Sequence, residues 1–143
     1  MLRGIDPIIG PDLLFTLRAM GHGDEIAIVD ANFPALAMAR RLIRMDGHDA
    51  VRVVDAVLSL MPLDRFAPEE AAIRMAVVGD PDAVPPVCAA FQQVVDNRDP
   101  GYEIVRLERF AFYERARQSF AIIATGESRL YGNLILKKGV IDP

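Results

Sequence analysis

Apolar residues recur along this chain in two rhythms, and their alternation predicts an α/β protein. After Pro11-Asp12, the residues Leu13, Leu14, Leu17 and Met20 fall at i, i+1, i+4 and i+7. That is the stripe of an amphipathic helix, with Gly21 as a stop. Glu25 to Asp30 (EIAIVD) is a short apolar run closed by a polar residue, the pattern of a strand. The segment from Ala35 to Arg44 is ambiguous, helical by propensity but rich in arginine and followed by an Asp46-Gly47 turn. Val51, Val54, Val57/Leu58 and Met61 predict a helix over 51–60, stopped by Pro62. Ala72 to Val78 reads as a strand closed by Gly79-Asp80-Pro81, and a helix follows Pro85-Pro86 to about Val95. Beyond the turn at Asp99-Pro100-Gly101 come a strand over 103–107, a helix over 109–118, and strands over 120–125 and 133–137.

Strands interspersed with helices over this length predict a single domain, residues 1–143, of layered α/β class. The last two strands are joined too closely for a helical crossover. This predicts an antiparallel edge on an otherwise mostly parallel, mixed sheet.

Composition narrows the function classes. Hydrophobic residues are 52% of the 143, enough for a core, which excludes a disordered chain. The 16 Lys+Arg against 20 Asp+Glu leave a net charge of −4, the wrong sign for a nucleic-acid module. A membrane span needs roughly 20 consecutive apolar residues, and the apolar runs here are strand-sized. No signal peptide is expected, because Asp6, Pro7 and Pro11 interrupt the start. The single cysteine, Cys88, excludes an internal disulfide and points to the reducing cytoplasm. It sits among Val87, Ala89 and Ala90 in a predicted helix, where a small buried residue is the plainer reading than a nucleophile.

The chain has no GxxxxGK[ST], no GxGxxG and no zinc-spaced Cys/His cluster, so neither a phosphate loop nor a metal site is predicted. It has two histidines. His22 lies between Gly21 and Gly23, where the glycines leave its ring uncrowded, and an imidazole exchanges protons near neutrality. His48, in the polar turn Asp46-Gly47-His48-Asp49, reads as a solvated loop residue. Asp30 closes an apolar strand, where ligands collect in α/β proteins; it could hold vicinal sugar hydroxyls or simply cap the turn with Asn32. Six of the ten aromatic residues lie between Tyr102 and Tyr131, interleaved with charge around Arg109. Such a stretch suits a sugar, though an amphipathic helix with a Glu114–Arg117 surface pair would read the same way. Tyr131-Gly132-Asn133, before the last strand, offers a hydroxyl, a close backbone approach and an amide.

Taken in order, the blocks Gly21-His22-Gly23-Asp24-Glu25, Asp30-Ala31-Asn32-Phe33-Pro34, Arg109 to Arg115 (RFAFYER), Thr125-Gly126-Glu127, Tyr131-Gly132-Asn133 and Leu136 to Val140 resemble the RbsD/FucU family of sugar mutarotases. Within that family they look like the L-fucose mutarotase branch. The resemblance implies a three-layer α/β/α sandwich that interconverts the anomers of a free monosaccharide without metal or organic cofactor. It implies that His22 is the proton donor and that Asp30, Arg109, Tyr131, Gly132 and Asn133 contact the sugar. It also implies a homo-oligomeric ring, commonly a decamer, with sites near subunit contacts. The second proton could pass through Tyr131, Asp30 or water. A D-ribose pyranase would usually carry a histidine in place of Arg109 and YAN in place of Tyr131-Gly132-Asn133. A non-catalytic sugar-binding or transport-accessory protein would keep Asp30 and Arg109 useful and make His22 dispensable.

Overall fold

The computed structural model describes all 143 residues. Five α-helices and six strands follow in chain order: α1 (Pro11–Ala19), β1 (Glu25–Val29), α2 (Ala35–Met38), β2 (Leu42–Met45), α3 (Ala50–Leu58), β3 (Ala72–Met75), α4 (Pro86–Arg98), β4 (Val105–Leu107), α5 (Arg109–Gln118), β5 (Ala121–Thr125) and β6 (Leu134–Lys137). No helix is long and apolar enough to cross a membrane.

The strands form one mixed sheet in the order β2-β5-β1-β6-β3-β4. Pairs β2/β5, β5/β1 and β3/β4 are parallel, and β6 runs antiparallel to both β1 and β3. Five strands therefore point one way and β6 alone points back. This corrects the expected antiparallel edge. The connection after β5 steps over β1, so the reversed strand lies inside the sheet, and both edges, β2 and β4, are parallel to their neighbours.

Side chains on a strand alternate between faces, and here that alternation sorts two cores. Ile26, Ile28, Ile123, Leu134 and Leu136 face the layer of α1, α3 and α4, built on Leu13, Leu17, Val54, Val57 and Phe91. Ala27, Val29, Met75, Ile122 and Ile135 face α2 and α5, against Phe112 and Ala116. The result is a three-layer α/β/α sandwich. Strand β5 is buried along its whole length, as a central strand covered on both faces should be.

The ambiguous segment over 35–44 resolves into two elements. A one-turn helix ends at Met38; the backbone is extended at Ala39, and β2 then pairs with Ile122–Thr125. Tertiary pairing decides this. Edge pairing satisfies the backbone of β5, and Ile43 and Met45 bury while Arg44 points out. The strand expected over 72–78 stops at Met75, and the one over 103–107 starts at Val105.

Candidate active site

A cleft of about 300 Å³ opens at the carboxyl ends of β1 and β3. The reversal of β6 makes it. Because β6 runs backwards between β1 and β3, the residues that lead into it arrive where β1 and β3 end. Tyr131 and Asn133 thus meet Asp30, and Arg109, which follows β4 at the start of α5, closes one side. Asn32, Phe33, Met75, Val78, Tyr113 and Leu130 complete the walls.

Asp30 is buried and held on several sides. Its carboxylate accepts the Asn32 amide and the Asn133 Nδ2 donor, each at 2.9 Å, while its own backbone N–H donates to Asn133 Oδ1 at 2.9 Å. The turn cap and the Asn133 lock fix the carboxylate without exhausting its lone pairs, so it can still accept sugar hydroxyls. Burial pushes the Asp30 carboxyl above the ordinary aspartate value, against the opposing pull of the Asn32 amide and Asn133. Asn133 spends both ends of its amide on Asp30; its place in the cleft is to hold the aspartate.

Tyr131 is the sole non-glycine residue with a left-handed backbone, at φ 65°. Its hydroxyl accepts the Val78 amide at 3.1 Å, which ties it to the loop after β3. Gly132 does not line the cleft. It is packed beneath it, where an added Cβ would sit 2.6 Å from Glu127 Cγ. Buried Glu127 is itself held by Arg129 through two hydrogen bonds of 2.8 Å. Arg109 stands at the first turn of α5, whose amides at Phe110 and Ala111 are capped by the Glu108 carboxylate. Its Nε donates to the Tyr113 hydroxyl at 3.3 Å. No carboxylate pairs with its guanidinium, so the planar fork is available to hydroxyls.

His22 lies at the opposite end of β1. Five strand residues at about 3.3 Å each separate it from Asp30, roughly 16 Å within one chain. Gly23, at φ 84°, turns the chain into β1 there. His22 Nε2 is 3.0 Å from Asp64 Oδ1, and its ring packs edge-on against exposed Phe66 at 5.5 Å. Burial draws the Asp64 carboxyl up, but the Phe66 amide and His22 together hold it below the ordinary value. An ionised carboxylate only accepts, so Nε2 carries a hydrogen and Nδ1 is the free nitrogen. His48 remains in its turn and makes no side-chain hydrogen bond. Cys88 is buried. No three His, Cys, Asp or Glu side chains converge in a way that could hold a metal ion.

The sequence profile of the RbsD / FucU transport protein family matches residues 3–141. The chain belongs to the RbsD/FucU family. The mouse fucose mutarotase is 43% identical over 146 residues, covering 99% of this chain and 95% of that protein. The fucose mutarotase of Streptococcus pneumoniae, solved in complex with L-fucose, superposes with a TM-score of 0.90 at 43% identity, covering 99% and 100% of the two chains. Bacillus subtilis RbsD, solved with D-ribose, shares the fold at a TM-score of 0.72 and 21% identity, covering 99% and 100%. The family fold accounts for the placement of the cleft. It does not by itself single out Met75, Val78, Leu130 or Asp64, which sequence reasoning missed. The first three are ordinary apolar residues in sequence and form a wall only when β3 and the loop before β6 converge. Asp64 lies 42 positions from the histidine it holds.

Proposed function

We propose that this chain is an L-fucose mutarotase, an isomerase that interconverts the α and β anomers of the free sugar by opening and reclosing its ring. The observation that carries the reading is the cleft: a fixed carboxylate, a free guanidinium fork and an apolar wall in about 300 Å³. These suit a monosaccharide with a methyl group, with its hydroxyls on Asp30 and Arg109 and its C–H faces on Met75, Val78 and Leu130. End-to-end similarity to fucose mutarotases supports the choice of sugar.

Ring opening delivers one proton to the ring oxygen and removes one from the anomeric hydroxyl. The aldehyde then turns about its C1–C2 bond, and closure on its other face returns both protons. We assign the delivery to Nδ1 of the protonated His22 ring, and the removal to Tyr131, which takes the anomeric proton as its own hydroxyl proton passes to water. The Val78 amide, which donates to the Tyr131 oxygen, holds that hydroxyl in place for the transfer. Positioned acid–base groups of this kind are typically worth about 10²–10⁴-fold.

His22 cannot reach its own chain's cleft, so the reading requires a homo-oligomer in which one copy's His22 enters the cleft of another. Exposed Phe66 beside His22, and exposed Val78, Phe110 and Leu130 around the cleft, are the apolar surface that such contacts would cover. A ring is the closed form of such a head-to-tail contact, and the family resemblance puts its count at ten. We place the protein in the cytoplasm, in keeping with its single buried, free cysteine.

Proton saturation-transfer NMR on equilibrated L-fucose and D-ribose tests the reading. Faster anomeric exchange is expected for L-fucose, lost in His22→Ala and strongly slowed in Tyr131→Phe, with sugar binding retained in both. Acceleration for ribose alone would move the protein to the pyranase branch. Binding without acceleration would make it a sugar-binding protein.

A further inference from the structure

A second cleft lies behind the sugar site, on the opposite face of β3. Successive strand residues point to opposite faces, so Met75 lines the sugar cleft while Arg74 lines this one. Its volume is about 620 Å³, and Cys88, Gln92 and Arg106 also form its walls. Arg74 and Arg106 are register partners on the parallel strands β3 and β4, which puts two arginines side by side on one face. Like charges directly opposite each other destabilise a sheet.

The two arginines are unequally compensated. Arg106 donates to the Asp82 carboxylate and to the Pro81 carbonyl. Arg74 is 5% exposed and has no carboxylate partner. It donates only to the backbone carbonyls of Met75 at 3.3 Å and Ala83 at 3.0 Å, two uses of five donors. Cys88 cannot serve as its counter-ion: burial pushes that thiol up, outweighing the influence of Arg74, and leaves it neutral. Gln92 is already spent on Asp96, Tyr102 and Ile104. A buried charge without a partner is costly, and this one borders an open cleft.

We infer that the Arg74–Arg106 cleft binds a phosphate group, free or carried by a small monoester, at a site separate from the sugar cleft. Two guanidinium groups on one face can offer several donors to one tetrahedral oxyanion. The volume leaves room for an organic group attached to it.

Calorimetric titration with inorganic phosphate and with glycerol phosphate, against sodium chloride at matched ionic strength, tests this. One saturable site is expected, at least tenfold weaker in Arg74→Met and several-fold weaker in Arg106→Gln. Arg109→Gln, which removes the free guanidinium of the sugar cleft, should bind phosphate like the unmodified protein. Tighter binding of glycerol phosphate would identify a monoester as the ligand, and equal binding would identify free phosphate. Absence of saturation through the millimolar range would overturn the site, as would undiminished binding by Arg74→Met or loss of binding in Arg109→Gln. Methionine fills a similar volume without a charge, so Arg74→Met should fold, as circular dichroism would verify. If it did not, Arg106→Gln alone decides.

Discussion

His22 and Asp30 ask opposite things of their surroundings. In the proposed mechanism His22 trades a proton; its ring is exposed and only one nitrogen is tied, to Asp64 at 3.0 Å. Asp64→Asn keeps the shape but removes the negative charge that sits against the ring when Nδ1 carries the proton to be delivered. Exchange should fall by about 10–100-fold while L-fucose affinity changes little, since binding is assigned to the other end of β1. Equal loss of rate and affinity would point to misfolding of the loop instead. Asp30, as proposed, accepts sugar hydroxyls and so has to be ionised, yet burial raises its carboxyl above the ordinary aspartate value. A raised folded value means that this group's contribution to stability is present in acid and is lost as pH rises through that value. Sugar binding gains over the same window. The acid limb of the L-fucose exchange profile should therefore lie above the ordinary aspartate range, while thermal stability loses the Asp30 contribution across it. An acid limb at the ordinary value would contradict the role given to burial.

Helices α1 and α3 were legible in sequence because each carries its own stripe and stop; Leu13 and Leu17 bury as their spacing requires. Strand β2 was not legible, because four residues at a sheet edge have no local signal strong enough to outweigh helix propensity. Pairing with β5 supplies it. The segment before β6 is similar: its residues look like a plain turn, and its rigidity comes from elsewhere. Gly132 is packed on Glu127, which Arg129 pins in place, so the chain can neither move away nor admit a side chain. Gly132→Ala should cost about 1–3 kcal/mol in urea unfolding, the usual range for overpacking. It should also weaken L-fucose binding, because Tyr131 and Asn133 flank the displaced residue. A stable variant with ordinary affinity would show that the turn yields more easily than its packing suggests.

The whole molecule, as proposed, is an assembly, since one copy separates its proton donor from its sugar cleft by the length of β1. Complementation tests this directly. His22→Ala and Asp30→Ala proteins should each be inactive alone. After unfolding together and refolding as a mixture, about a quarter of the sites would combine an intact His22 from one copy with an intact cleft from another. Exchange near that fraction of the unmodified rate is expected, and none would place both residues in the same copy's site. Sequence by itself determined the layered α/β class, most elements, and the cleft's Asp30, Arg109, Tyr131 and Asn133, because periodicity, caps and short blocks such as Asp30 to Pro34 are local properties. Tertiary structure alone decided that β6 lies reversed inside the sheet, that Asn133 serves Asp30, that Asp64 holds His22 and that Arg74 is buried beside Arg106. Each of these joins residues far apart in the chain or sets a charge on a particular face. Strand order and register bring such residues together, and no local pattern encodes that order.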